Sequence, residues 1–270
     1  MTIRIPEKFM GKPIAGSMEI VLAQAPPPLP PQGAGGQNLG IGSINPREYI
    51  QVGLEGLGGA PVVISSYELQ DSNNKNYENA HRFVLEKGLY MPTPRIFMRH
   101  FMNVLEAKKG NRALNYSDGA KVPDTEVEEM YKHLTTNHKA IFGSQPGVWT
   151  WLNAGFNGGN LETVTGLNSD NSLKIVQVPL ENCLGEDVYV NLDSNSQGLA
   201  SSTSKCSNQA YSQGQNIKFW FPRDKAVARF IAIAGRAILS CGRDATNANP
   251  ALGVFACAEG AVAKNPARLT

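Results

Sequence analysis

Four cysteines, Cys183, Cys206, Cys241 and Cys257, are the residues best equipped for chemistry in this chain, since a thiolate can ligate a metal, attack a carbon or exchange disulfides. Their spacing argues for something plainer. No two form a CxxC pair and none has a histidine nearby, so a zinc site gains no support and buried thiols are the simpler reading. Asp187, Asp193, Asp224 and Asp244 lie on separate segments, with no spacing that makes a carboxylate pair or a cation site. "GFNGGN" (Gly155 to Asn160) lacks both the Lys-Ser/Thr of a phosphate loop and the GxGxxG spacing, and no GxSxG offers a nucleophile, so these are expected to be turn glycines. His133 and His138 flank the end of an expected helix, where an imidazolium suits the helix dipole better than it suggests catalysis.

Aromatic residues are the next candidates. Trp149, Trp151, Phe156, Phe219, Trp220 and Phe221 could stack against bases or sugars, or could be the inner face of a sheet. In "VWTWL" strand alternation puts Trp149 and Trp151 on one side, which favours the inner face.

The segment from Val227 to Gly260, "VARFIAIAGRAILSCGRDATNANPALGVFACAEG", carries a different signal. Ala232 and Ala234 alternate with Ile231 and Ile233, and Gly235 then marks a turn or bulge. Beyond it, Ala237, Leu239, Cys241 and Arg243 share one parity, while Arg236, Ile238, Ser240, Gly242 and Asp244 share the other. The first series is mainly small or apolar and reads as packed. The second mixes charges, a hydroxyl, a glycine and isoleucines that no one buried environment suits, so it is expected to face solvent. Exposed isoleucines beside charges make an apolar patch with polar edges, as interaction surfaces often are. A strand buried on both sides remains the alternative.

The span from Gly147 to Gly260, through "VWTWLNAGF", "NSLKIVQVPLENCLGEDVYVNL", "NIKFWFPRD", "VARF" and "LGVFACAEG", resembles the variable proteins of diversity-generating retroelements. The resemblance implies a C-type lectin fold, α+β, with short antiparallel strands, a few helices and long loops, whose C-terminal repeat is rewritten at adenines. In that family the template often encodes Asn as AAC or AAT, and randomising the first two bases never gives Lys, Glu, Gln, Met or Trp. Ile231, Ile233, Arg236, Ile238, Ser240, Gly242 and Asp244 all obey that restriction, and Asn247 and Asn249 fit unaltered template. The resemblance thus implies that these nine positions form a ligand-binding patch, on a protein without catalysis or cofactor of its own. The expected ligand is a protein or other macromolecule. The Glu-Pro-Asn and Gln-Pro-Asp signatures of calcium-dependent sugar binding are missing, so no metal is expected.

Elements that would position such a patch are legible along the chain. "PDTEVEEMYKHLTTNH" has capping-box spacing between Thr125 and Glu128, and Val127, Met130, Tyr131 and Leu134 at helical spacing, so a helix with one packed face is expected. "VVISSYEL" reads as a strand, "RALNYSDGAKV" as a hairpin turning at Asp118-Gly119, and "MPTPRIFMRHFMNVLEA" as a strand pair or a short helix. Beyond Gly147, short strands and polar turns dominate. "QAPPPLPPQGAGGQ" reads as a stiff-then-flexible linker, giving an arm and linker over 1–36, a part over 37–146 packed on the core, and a lectin-like region over 147–270. The arm could serve oligomerisation.

Composition sets the outer bounds. With 270 residues, 18% charged, and a net charge of +2, there is enough chain for a large core and no electrostatic case for nucleic acid. No signal-peptide pattern or membrane-spanning run is visible, which leaves synthesis in the cytoplasm and final display open. Two other readings stand beside the binding protein: an oxidase similar to the formylglycine-generating sulfatase-modifying enzymes, which needs closely placed reactive cysteines, and a structural virion or surface-assembly protein drawing on the arm and linker.

Overall fold

The computed structural model describes residues 44–136 and 147–260. The expected arm and linker over 1–36, and His138, lie outside the described residues. The fold is α+β, with three α-helices and two sheets among the described residues. A three-stranded antiparallel sheet has the order β1 (Tyr49–Glu55), β2 (Pro61–Ser65), β10 (Cys257–Glu259). A seven-stranded sheet has the order β5 (Leu173–Pro179), β4 (Asn160–Leu167), β3 (Val148–Asn157), β8 (Ala226–Ile233), β9 (Arg236–Arg243), β7 (Asn216–Trp220), β6 (Val188–Asn191). Only the β7–β9 pairing in it is parallel.

Local chemistry explains where the helices start. α1 (Tyr77–Leu85) begins where the Asn76 side chain accepts from the Asn79 N–H at 2.9 Å, leaving Ala80, His81 and Val84 on its buried face. α2 (Pro94–Lys108) settles the "MPTPRIF" ambiguity in favour of one 15-residue helix. Thr93 Oγ1 accepts from the Ile96 N–H, and Pro94 occupies the first turn, where no amide donor is needed. α3 (Asp124–Thr135) packs Val127, Met130 and Leu134 inward as expected. Its cap differs from the expectation: Pro123 is the N-cap and no side-chain capping bond forms, so Thr125 lies inside the first turn. The expected turn at Asp118-Gly119 is present, with Gly119 at φ +86° and Asp118 Oδ1 accepting from the Ala120 N–H.

α2 and α3 cover one face of the seven-stranded sheet. Phe97 and Phe101 of α2 meet Phe230 of β8 at ring-centroid distances of 4.8 and 5.4 Å, and Phe97 meets Phe255 at 5.3 Å. Burying each ring contributes about 1.5–3 kcal/mol. Residues on either side of position 147 share this core, Ile50, Val104 and Leu134 lying in it with Leu152, Phe219 and Leu239. A second core joins Val63, Val84 and Met91 to Trp151, Val227, Leu252, Val254 and Ala256.

Candidate functional site

β8 and β9 form a hairpin at the centre of the seven-stranded sheet, closed by Ala234 and Gly235, the latter at φ +74°. The expected phase change at Gly235 is therefore a turn. Because the strands pair Ile231 with Ile238, Ile233 with Arg236 and Arg229 with Ser240, these side chains share a single face. Ala232 opposite Ala237 and Phe230 opposite Leu239 take the other, against the helices. The division into two series is thus real in geometry: Ala232, Ala237, Leu239 and Cys241 are all core.

Solvent exposure of the mixed series is where the expectation needs correction. Ile231 is 3% exposed, Ile238 4% and Ser240 0%. Ile233 is intermediate and Arg236 exposed. The cause is the hairpin's central position. Registers across β6, β7, β9, β8 and β3 place Tyr189, Lys218, Ile238, Ile231 and Trp149 in one row, so each isoleucine is flanked by a longer side chain as well as by its partner. An adjacent row runs Trp220, Ser240, Arg229, Trp151.

Arg243 also departs from its expected side. The register shifts between Val227 and Arg229, and Arg243 pairs with Val227, the parity of Arg229; the bulge moves it from the packed series to the mixed face. There its guanidinium lies 4.2 Å from the Trp220 ring centroid and its Nε donates to Ser240 Oγ at 3.1 Å. The buried Ser240 oxygen thereby has a hydrogen-bond partner.

This face pairs cations with rings throughout. Arg229 lies 5.3 Å from the Trp149 centroid, Lys218 4.9 Å from Tyr189 and Arg223 5.0 Å from Phe221. Arg223 is held by Asp187 at 2.9 Å, and Lys218 donates to the Asp187 backbone carbonyl. Burial, and then repulsion from Arg243, lowers the Arg229 pKa to about 10. Arg243 is lowered too, by burial first and Arg223 second, with Asp187 opposing. Of the six aromatic candidates, Trp151, Phe156 and Phe219 are core, whereas Trp149, Trp220 and Phe221 are partly open. Arg229 and Arg243 are the components that sequence reasoning passed over. "VARF" and the switch at a bulge were their signals.

The remaining positions lie at the end of β9 and beyond. Gly242 sits in the bulged region, with Arg223 packed over it. Asp244 is exposed and its Oδ1 accepts from both the Thr246 N–H and hydroxyl, which lowers its pKa. Asn247 is exposed; Asn249 is intermediate and its Oδ1 accepts from the Ala251 N–H. The loop is tied to the segment before α1, the Asn74 N–H donating to Asn249 O and the Tyr77 N–H to Ala245 O. Five of the nine positions thus share the hairpin face, one marks the bulge and three belong to a loop braced from outside the sheet. A depression of about 770 Å³ lined by Lys108, Arg112, Asp124 and Glu128 contains none of them.

Other candidates resolve simply. All four cysteines are unpaired, and Cys241 and Cys257 are buried, their pKa values raised by burial. Gly158 and Gly159, both at positive φ, turn the β3–β4 hairpin, as expected for "GFNGGN". His133 is not a solvated cap of the helix dipole: it is 1% exposed, its Nε2 lying 2.7 Å from Glu68 Oε2. Its position on the inward stripe with Met130 and Leu134 turns it into the core. Among the described residues, no group of three or more His, Cys, Asp or Glu side chains could hold a metal ion, and no helix is long and apolar enough to cross a membrane. Comparison with family models, curated proteins and solved structures finds no match to this chain.

Proposed function

We propose that this α+β protein is a ligand-binding variable protein of a diversity-generating retroelement, built on a C-type lectin scaffold and without catalysis of its own. Its ligand, a protein or other macromolecule, meets the mixed face of the β8–β9 hairpin and the loop after it. The observation that carries the reading is the hairpin's register. Ile231, Ile233, Arg236, Ile238 and Ser240 share one face, and the uniform Ala and Leu residues share the opposite one, against α2 and α3. A preformed sheet limits the entropy cost of recognition and leaves affinity to the side chains it carries.

The test is a pair of display libraries read for folded protein with a protease. One randomises Ile231, Ile233, Arg236, Ile238, Ser240, Gly242, Asp244, Asn247 and Asn249, and the other Ala232, Ala237, Leu239 and Cys241. The reading requires a far larger folded fraction in the first than in the second, with the folded members of the first keeping apolar residues at 231 and 238. Equal loss in both would sink it. The retroelement itself is tested in the neighbouring DNA, by a near-copy of the codons for Val227 to Gly260 that differs only at adenines.

A further inference from the structure

The mixed face contains a cation that the fold leaves unanswered. Arg229 is 5% exposed, yet among the described residues no group hydrogen-bonds to its guanidinium and no carboxylate lies within ion-pair distance. Its Nε is fully buried without a partner, and so is the Nε1 of Trp149, whose ring lies 5.3 Å from the guanidinium carbon. Two buried groups that can only donate therefore stand side by side with nothing to accept from them. A buried donor left unpaired costs about 1–3 kcal/mol, more when charged. Nearby cations add to the imbalance: Arg243 repels Arg229, and Arg223 repels Arg243. Asp187, the carboxylate beside Arg223, is already engaged by Arg223 and by the Phe221 N–H.

We propose that Arg229 and Trp149, bordered by Arg243, form a carboxylate-binding site, and that an Asp or Glu side chain of a protein ligand fills it. Charge decides the sign of the ligand. Planarity and burial favour the carboxylate over a phosphate: a guanidinium and an indole N–H present donors to a flat acceptor with two oxygens, and a singly charged group is less costly to bring onto a floor made by Ile231 and Ile238. Arg229 lies outside the nine diversified positions, so it would supply a constant anchor beneath a changing rim. The proposal rests on the hairpin face being the recognition surface.

The experiment is a titration of the full-length, ¹⁵N-labelled chain with hexaglutamate, hexaglutamine and inorganic phosphate, read at the Trp149 indole and Arg229 Nε–H resonances. A saturable shift with hexaglutamate is expected, with affinity at least about tenfold above hexaglutamine and phosphate, as charge-assisted bonds to a matched acceptor imply. Arg229→Met should lose that preference while unfolding at a temperature equal to, or about 2–4 °C above, that of the parent chain, because an unpaired buried charge has been removed. Trp149→Phe, which keeps a ring and loses the donor, should weaken binding less. Absence of a shift, an equal response to phosphate, or a clear drop in melting temperature for Arg229→Met would each overturn the site, the last by showing that the arginine supports the fold. No library enters this titration. A folded first library with no hexaglutamate response fails the anchor alone, and a specific response with both libraries unfolded fails the diversified-surface reading alone.

Discussion

Ile231 stands directly opposite Ile238 across the β8–β9 hairpin, and both are almost fully buried on the face that also carries Arg229 and Ser240. That pair is a buried apolar seam on a face that also carries charged and aromatic side chains. Ile231→Ala and Ile238→Ala are each expected to cost about 2–5 kcal/mol, the range for removing a buried aliphatic side chain. Arg236→Ala, one step nearer the turn and exposed, should stay within about 0.5 kcal/mol. Urea denaturation of the three variants checks the contrast, and equal effects would show the seam to be absent.

Two glycines near the hairpin should respond to very different degrees. A Cβ on Gly242 would meet Arg223 Nη1 at 2.6 Å and Cδ at 3.1 Å, but those atoms belong to a long side chain that can swing away. Gly242→Ser is expected to cost under about 1 kcal/mol. Gly147 has φ +94°, and its Cβ would lie 2.0 Å from the Ala232 carbonyl oxygen, which belongs to the sheet backbone. Gly147→Ala should cost several times more, since both strain and collision are forced on the chain. Thermal melts of the two variants decide it.

Legibility in the sequence followed the reach of each interaction. The α3 stripe, the Asp118-Gly119 turn, the Gly158-Gly159 turn and the parity of Ala232, Ala237 and Leu239 depend on neighbours within a few residues, and all could be read directly. Exposure of Ile231, Ile238 and Ser240 could not, because it depends on which strands flank the hairpin: Trp149 comes from 82 positions earlier than Ile231, and Lys218 reaches Ile238 by a parallel pairing. Arg243 was hidden by a one-residue bulge that inverts parity beyond it. His133 looked like a helix-end cation because its partner, Glu68, lies far away in sequence.

Glu68 and His133 give a further test of the buried polar interior. They lie 2.7 Å apart, both nearly inaccessible, with Tyr67 edge-on to the imidazole. Glu68→Ala leaves the imidazole without its partner and is expected to cost about 3–5 kcal/mol, whereas Glu68→Gln keeps a hydrogen-bonding group in place and should cost clearly less. Chemical denaturation at neutral pH separates the two. A similar loss in both variants would mean that charge, rather than hydrogen bonding, holds the pair.

His81 and His100 set the acid limit of the fold. His81 Nε2 and both ring nitrogens of His100 are buried without a hydrogen-bond partner, and burial lowers each pKa to about 3, with His133 adding to the shift at His100. In the unfolded chain both titrate near the ordinary 6.5. Between those values the unfolded state binds the proton and the folded state does not, so stability is full above pH 6.5 and falls as pH drops toward 3. Each histidine contributes a slope approaching about 1.4 kcal/mol per pH unit within that window. His100→Phe, which fills the site between Phe97 and Phe255 with another ring, should remove roughly one proton's worth of that slope, visible in denaturation midpoints measured from pH 7.5 to 4. An unchanged slope would mean that His100 does not remain neutral when folded.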